Sequence, residues 1–421
     1  MSLSVDEEYL IRLISYTQPN MSPKIIVTQI DTGLEHEIPF TCTKYNIQNV
    51  EFGPKYTKNA KEYHSIFFTV CDDIGRPNSV YACIMNSWTC FRGDGTLFTP
   101  LELIMKEENR ANFVDVQRTK GCDYVAINST SKTDNEVYLI GGDATPSSSS
   151  KSNIFEHIPW QPILVKKRSL GIQYYVECGN QGDVIILAHQ FSNQRLDDDA
   201  FSDKKVDKNV IGSEISVFQA SKADFPLPAS NYGTPIHLHN DTMEFFVEDI
   251  DLFYQFLVFY ERSSVDSSQR IRVLRRNTEI SNSTIISLDK YIPERKFKHC
   301  LISPGGNMNF NSIHLNFHIE SPLMPPTQYN YDFELNSLSN LSNSSHQSDT
   351  RRSDSVRFLV TSKDNALIPL SLYFHNDVMT KGVLLIGYGS YGQNQNLSYN
   401  PAFLPLVRRG FSIVSYILRD I

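Results

Sequence analysis

The chain has 421 residues, 40% of them hydrophobic and 20% charged, and a formal net charge of -8; it is long enough for more than one core, and no basic block points to a nucleic-acid partner. Its seven cysteines, at 42, 71, 83, 90, 122, 178 and 300, are odd in number and form no C-x-x-C, so they suggest neither a disulfide framework nor a zinc ribbon. The N-terminus, MSLSVDEEYLIRLISY, is acidic and lacks the basic region of a signal peptide, and no apolar run approaches the roughly 20 residues of a membrane span; a reduced, cytoplasmic chain with no membrane partner is the expectation.

In chain order, residues 1 to 336 carry short strand signals and almost no amphipathic helix. Ser65–Cys71 and Val80–Met85 flank an Asp-Asp-Ile-Gly-Arg-Pro turn. Phe113–Gln117, Tyr124–Asn128 and Glu136–Ile140 follow, then Tyr174–Cys178 and Val184–His189 around Gly179–Asp183. Phe253–Tyr260, Arg270–Leu274, Ser312–Glu320 and Gln328–Leu335 complete the series. Runs rich in Val, Ile, Tyr and Phe with turn residues between them suggest a sandwich or a propeller, and their number favours the propeller. No strict repeat reveals a blade count. Residues 337–355 (SLSNLSNSSHQSDTRRSDS) have too little apolar surface to fold and read as a disordered linker; Thr145–Asn153 reads as a polar loop. Beyond the linker, Val356–Ser362, Leu367–Tyr373 and Gly382–Ile386 read as strands, Ala402–Arg409 as a short helix and Phe411–Leu418 as a strand, the opening of an α/β sheet.

The stretch VLLIGYGSYGQNQN, residues 383–396, holds the pattern with most chemical content. Gly387, Gly389 and Gly392 are spaced G-x-G-x-x-G, as in a dinucleotide fingerprint, and Asp420 follows a second strand where an acid could meet a ribose. The fingerprint needs its third glycine to open a helix facing the pyrophosphate, and Gln393–Pro401 is a poor helix start. A nucleophile elbow needs glycine two residues before the serine, and Tyr388 stands there, so Ser390 is not expected to be a nucleophile. Glycines that supply positive φ in a tight turn are the plain structural alternative. Elsewhere, His237 and His239 share a strand face without an identifiable third metal ligand, His375 reads as a surface residue, and Glu107, Glu108 and Asp197–Asp199 read as solvated charges. No metal site and no cofactor are called for.

The turn I-G-Y-G-S-Y, residues 386–391, resembles the Y-G-Y-G-[GS]-[FY] turn of the prolyl oligopeptidase family of serine peptidases, and its G-S-Y-G form is closest to the oligopeptidase B branch. Other stretches are similar to that family in the same order: SIFFTVCDDIGRPNSVYACIM (65–85), residues 105–140, EFFVEDIDLFYQFLVFYERSS (244–264), SPLMPPTQYNYDFELNS (321–337), VRFLVTSKDNALIPLSLYFHND (356–377) and RRGFSIVSYILRD (408–420).

The resemblance implies a mainly β fold: a β-propeller, seven-bladed in the family and with its first blade incomplete here, over 1–336; the linker 337–355; and the first strands of an α/β-hydrolase domain over 356–421. It implies a serine endopeptidase that cleaves short peptides by Ser-His-Asp acyl transfer. By the same resemblance Tyr388 is the oxyanion-hole donor, Tyr391 lines the substrate pocket, and Arg419 is a structural residue near the site, although Asp420 and Ile421 depart from the glycines that follow it in the family. No G-x-S-x-G occurs in the sequence, and the family's triad residues lie beyond the arginine segment. The chain is therefore expected to be truncated at both ends and inactive alone, with a second polypeptide as a possible source of the remainder. Two alternatives stand beside this reading: a non-catalytic propeller interaction module, and an NAD-binding oxidoreductase.

Overall fold

The computed structural model describes residues 1–416 except 5, 15–22, 41–45, 59–60, 87–97, 142–159, 180–182, 191–213, 229–230, 238–243, 264, 266–267, 289–299, 342–352, 364, 366 and 388–397. Its strands form seven four-stranded sheets. The first holds β1 (Ser2–Leu3), β2 (Tyr9–Ile14), β3 (Lys24–Gln29) and β4 (Glu35–Glu37); the second β5 (Ile47–Lys58), β6 (Lys61–Cys71), β7 (Pro77–Asn86) and β8 (Glu102–Lys106). The third holds β9 (Phe113–Arg118), β10 (Tyr124–Thr130), β11 (Asn135–Gly141) and β12 (Ile163–Lys166); the fourth β13 (Ile172–Cys178), β14 (Asp183–Gln190), β15 (Glu214–Ser221) and β16 (Thr234–His237). The fifth holds β17 (Phe245–Leu252), β18 (Phe256–Ser263), β19 (Gln269–Arg275) and β20 (Thr284–Ile285); the sixth β21 (Leu301–Pro304), β22 (His314–Ser321), β23 (Met324–Asp332) and β24 (Ser337–Asn340). Each of these six is an up-and-down meander in chain order, the blade of a β-propeller. Where an incomplete first blade was expected, the first sheet has four strands, with β1 only two residues long.

The chain divides into two compact units, 1–191 with 217–236, and 192–216 with 237–421. In the first unit the blades pack face on face, and strand alternation decides which neighbour each residue meets. Ile66 and Phe68 of β6 join Ile11, Ile25 and Val27 of the first sheet, whereas Phe67 turns to Val114, Val116, Val125 and Ile127 of the third. On β10, Tyr124 and Ala126 face the fourth sheet, where they meet Tyr174, Val184 and Ile186. Polar groups tie the blade ends. Asn135 Nδ2 donates to the Tyr174 carbonyl (2.6 Å), and the Tyr174 hydroxyl donates to the Lys166 carbonyl (2.6 Å) while accepting from the Val137 N–H (3.0 Å).

In the second unit, Val258, Tyr260, Ile271 and Val273 of the fifth sheet pack on Ile302, Leu315, Phe317 and Ile319 of the sixth. The sequence reading sets two strands slightly out of place. Phe253 lies in a turn before β18, its N–H donating to the Phe256 carbonyl (2.8 Å), and β23 ends at Asp332 because Asn336 takes a positive φ of 50° in the turn that follows. The tract read as a linker is strand at both ends. Ser337–Asn340 pairs antiparallel with β23, and β25 begins at Ser353; backbone hydrogen bonds hold the first of these strands, and Leu338 packs on the core of the fifth and sixth sheets. The polar-loop reading of Thr145–Asn153 falls outside the described residues.

The seventh sheet is different. It comprises β25 (Ser353–Thr361), β26 (Leu367–His375), β27 (Gly382–Ile386) and β28 (Phe411–Tyr416), ordered β25-β26-β28-β27. β26 is antiparallel to β25 and β28, while β27 and β28 are parallel and are joined through the helix α1 (Phe403–Arg408). A parallel pair needs such a crossover. Val407 of α1 packs with Tyr373 and Ile413 against Leu323 of the sixth blade. The Tyr399 N–H donates to Glu320 Oε2 (2.8 Å) and the Asn400 N–H to the Pro322 carbonyl (3.1 Å).

Gly410 sets the turn from α1 into β28. Its φ is +92°, and a Cβ there would lie 2.6 Å from the Met379 carbonyl oxygen. Backbone strain of this kind costs about 1–3 kcal/mol, and the clash adds to it. Gly410→Ala is expected to speed amide exchange in β27 and β28 while β5–β7 stay as protected as before. Unchanged exchange in β28 would show that the turn tolerates a side chain.

Candidate functional site

The glycine turn leaves the carboxyl end of β27, in a sheet whose β27–β28 pair is parallel. The carboxyl ends of parallel strands are where α/β sheets form ligand sites. Ile386 ends the strand and Gly387 opens the turn. Tyr388, Ser390 and Tyr391 of the turn lie outside the described residues, as do Arg419 and Asp420. The first described helix after β27 is α1, which begins at Phe403, and residues 398–402 are not helical. The residues directly after Gly392, where the helix of a dinucleotide fingerprint would begin, lie outside the described residues.

The histidines weighed from sequence sit apart. His237 is buried at the end of β16, and His239 is outside the described residues. His375 ends β26, and its Nδ1 accepts from the Asp377 N–H (3.1 Å) in a surface turn.

The structure assembles titratable groups that the sequence did not suggest. Ser4 Oγ donates to Asp6 Oδ1 (2.6 Å), and Asp6 Oδ2 lies 3.2 Å from His64 Nε2 and 3.1 Å from Lys55 Nζ. Lys55 and His64 are directly paired across β5 and β6, and Asp6 reaches them from the turn after β1. A serine, an aspartate and a histidine thus meet, but the carboxylate stands between the hydroxyl and the imidazole. A triad needs the imidazole in the middle, taking the serine proton while the carboxylate orients it; this cluster cannot activate Ser4. Asp6, Glu8 and His64 could each offer a metal ligand atom within 4.8 Å of the others, yet the Lys55 ammonium already supplies a cation at the Asp6 oxygen. Burial pushes the Asp6 carboxyl up, but the Ser4 hydroxyl, His64 and Lys55 more than offset that and hold it below its ordinary value.

A second cluster ties the second blade to the third. Glu107, read from sequence as a solvated charge, accepts from Ser129 Oγ (2.5 Å) and Asn112 Nδ2 (3.1 Å). Arg168 donates to Asp134 Oδ1 (2.6 Å) and to the Ser129 carbonyl (2.8 Å). Burial raises both carboxyls, and their donors bring each below its usual range: Ser129, the Asn109 N–H, Asn112 and Arg168 for Glu107, and Arg168, Ser131 and Thr133 for Asp134. The parts of this network stand far apart in sequence, so no local pattern announces it.

No family model matches the chain. Over 323 residues it is 26% identical to a Homo sapiens protein described as prolyl endopeptidase-like, covering 75% of this chain and 36% of that protein. A Gallus gallus protein of the same description is 24% identical over 319 residues, again 75% of this chain and 36% of the relative. The chain thus spans about a third of the length of the curated relatives it matches. Among solved structures, oligopeptidase B from Leishmania major superposes with a TM-score of 0.71 at 17% identity, over 99% of this chain and 50% of that one. Prolyl oligopeptidase B from Galerina marginata gives 0.63 at 12% identity, over 99% and 53%. The resemblance to the prolyl oligopeptidase family therefore holds in sequence and in fold, and that to the oligopeptidase B branch in fold. Among the described residues, no helix is long and apolar enough to cross a membrane.

The depressed carboxyls fix the sign of an acid response. An acid whose folded pKa lies below its unfolded value adds stability above the unfolded value and loses it as pH falls through the folded one. The ordinary values are 3.8 for Asp6 and Asp134 and 4.5 for Glu107, so the loss begins near those values and deepens below them. Asp134→Asn is expected to reduce stability at neutral pH by about 2 kcal/mol, the scale of hydrogen bonds to a charged group, and to flatten the acid decline. Urea unfolding of both proteins across the acid range checks this; parallel curves would remove Asp134 from the account.

Proposed function

We propose that the chain is the propeller and the opening strands of the hydrolase domain of a prolyl-oligopeptidase-type serine endopeptidase. Such an enzyme cleaves short peptides by Ser-His-Asp acyl transfer. The observation that carries this reading is the element order: six meander blades are followed by a sheet ordered β25-β26-β28-β27, whose parallel strand β27 runs into the tyrosine- and glycine-rich turn. The domain division follows, with a propeller over 1–336 and a hydrolase portion from 356. The intervening tract is a connection whose ends pair as strands.

In this reading the Tyr388 hydroxyl donates to the oxyanion of the tetrahedral intermediate, Tyr391 forms a wall of the substrate pocket, and Arg419 supports the site. No cofactor takes part. The peptide substrate enters by the propeller, in a cytoplasmic setting. Residues 1–421 contain no G-x-S-x-G, so the nucleophile and its partners must come from sequence beyond these residues or from a second polypeptide. A propeller that serves as an interaction module is the alternative reading.

Purified 1–421 is expected to turn over neither arginyl nor prolyl fluorogenic peptides, since loss of the nucleophile costs about a millionfold. Hydrolysis blocked by a fluorophosphonate, with the label on a residue inside 1–421, would overturn the assignment of a triad outside this segment.

In a form that carries the nucleophile, Tyr388→Phe is expected to lower kcat with little change in KM. The oxyanion is fully charged only near the transition state, and losing one donor costs about 2.7–4 kcal/mol, a hundredfold to a thousandfold in rate. Unchanged kcat would return the turn to a structural loop, and cofactor-dependent thermal stabilisation by NAD would favour the oxidoreductase. A transcript that reads past codon 421 into a G-x-S-x-G would separate the peptidase from the interaction module.

A further inference from the structure

The edge strand of the fifth blade, β17, carries a bulge. Its register against β18 shifts between Val247 and Asp249, so Glu248 is the extra residue. Before the shift Val247 pairs with Glu261; after it Asp249 pairs with Tyr260 and Asp251 with Val258. Directly paired residues share a face of the sheet, and Val258 and Tyr260 belong to the face that packs on the sixth blade. The bulge thus re-aims two carboxylates, two residues apart on one strand, to the side of the sheet where Tyr260 stands.

Tyr260 is 4% exposed, and its hydroxyl has no hydrogen-bond partner, an uncommon and costly state for a buried polar group. Burial, then the charges of Asp251 and Asp249, push that phenol up; it stays a neutral hydroxyl beside both carboxylates. Asp251 is oriented from the sixth blade. Asn307 Nδ2 donates to its Oδ2 (2.8 Å) and to the Asn316 carbonyl (2.8 Å), while Asn307 Oδ1 accepts from the Asn316 N–H (2.7 Å). Asp249 Oδ1 accepts from the Ile250 N–H (2.8 Å), and the charges that act on Asp249 are those of Asp251 and Glu248, both negative. Glu248 itself is held by Arg262 and by Gln269 Nε2 (2.6 Å).

We propose that Asp249, Asp251 and the Tyr260 hydroxyl bind a hard divalent cation, Ca²⁺ or Mg²⁺, where the fifth blade meets the sixth. All three donors are oxygens, the set such cations take, whereas zinc sites are built mainly on nitrogen and sulfur. The ion offsets the repulsion of two like charges on one strand, and the phenol oxygen meets the ion or one of its waters. Asp249 is exposed, so water completes the coordination shell. Two carboxylates and one neutral oxygen are few ligands, and the expected dissociation constant is about 0.1–1 mM, the weak end of the calcium range. The site lies within two four-stranded blades and is independent of the peptidase reading.

Isothermal titration of the full 421-residue chain, freed of metal by EDTA, with CaCl₂ and separately with MgCl₂ tests this. One site per chain is expected for at least one of the two salts. Asp249→Asn and Asp251→Asn are each expected to weaken binding about tenfold or more, because each removes a charged ligand. Tyr260→Phe removes a hydroxyl that bonds to nothing in the metal-free protein, so that protein should melt no lower than before. The cation should nevertheless bind it about three- to tenfold more weakly, a split that packing alone would not produce. Asp6→Asn, in the carboxylate cluster of the first two blades, should leave the affinity unchanged. No binding of either salt by the unmodified chain, well above the expected range, would overturn the proposal. So would binding that survives both β17 substitutions, or binding that Asp6→Asn abolishes, which would place the ion beside His64. Unchanged affinity in Tyr260→Phe would overturn the hydroxyl's part and leave it to an ordered water.

Discussion

Burial of the inner strands β6, β10, β14 and β18 on both faces is the constraint on which the rest of the structure depends. A lone four-stranded meander has no way to cover two apolar faces. Stacking covers both, and each residue's parity along the strand decides which neighbour receives it. On β6, Ile66 and Phe68 serve the first blade while Phe67 serves the third. On β10, Tyr124 and Ala126 serve the fourth blade while Val125 and Ile127 serve the second. A one-residue slip in either strand would exchange those partners and empty both interfaces at once. Register is therefore specified twice over in these strands.

Polar side chains do a separate job at the margins of the interfaces. The Asn135–Tyr174 pair, the Ser129–Glu107 pair and the Asp6–His64–Lys55 cluster each join residues of neighbouring blades by directed bonds. Apolar packing is indifferent to small sliding motions, whereas a hydrogen bond is not. Such bonds also bind their members to structure. Asp6 has its oxygens committed to a serine, a histidine and a lysine, and Glu107 to a serine and an amide, so neither is available as a catalytic base. Glu261 in the fifth blade is the extreme case, a buried carboxylate held by Arg270 and by Arg272 Nε (2.7 Å), where loss of the acid would leave two guanidiniums without their partner.

The seventh sheet breaks the blade pattern because its third and fourth strands are parallel. A parallel pair needs a crossover, and α1 supplies it on one face only. On that face the helix and Leu323 of the sixth blade pack on Tyr373 and Ile413. The same geometry ends β27 at Ile386, directly before the glycine-rich stretch of the sequence.

The sequence by itself determined the class of the fold and the centres of its blades. Strands buried on both faces, such as SIFFTVC and FLVFYERS, must be nearly continuous apolar runs, and that texture is legible without knowing the neighbours. It also determined the likeness carried by I-G-Y-G-S-Y, since a tight turn restricts residue types locally. The outermost strands were not legible. EHE, TPIH and SLSN are short and mostly polar, with one core-facing side chain at most, such as His237 or Leu338, so backbone bonding to an inner strand is the main thing that makes them β. Nor could the sequence foresee that Ser4, Asp6, Lys55 and His64 converge, or that Glu107 is engaged rather than solvated. Those positions meet only when strands distant in the chain are paired and stacked.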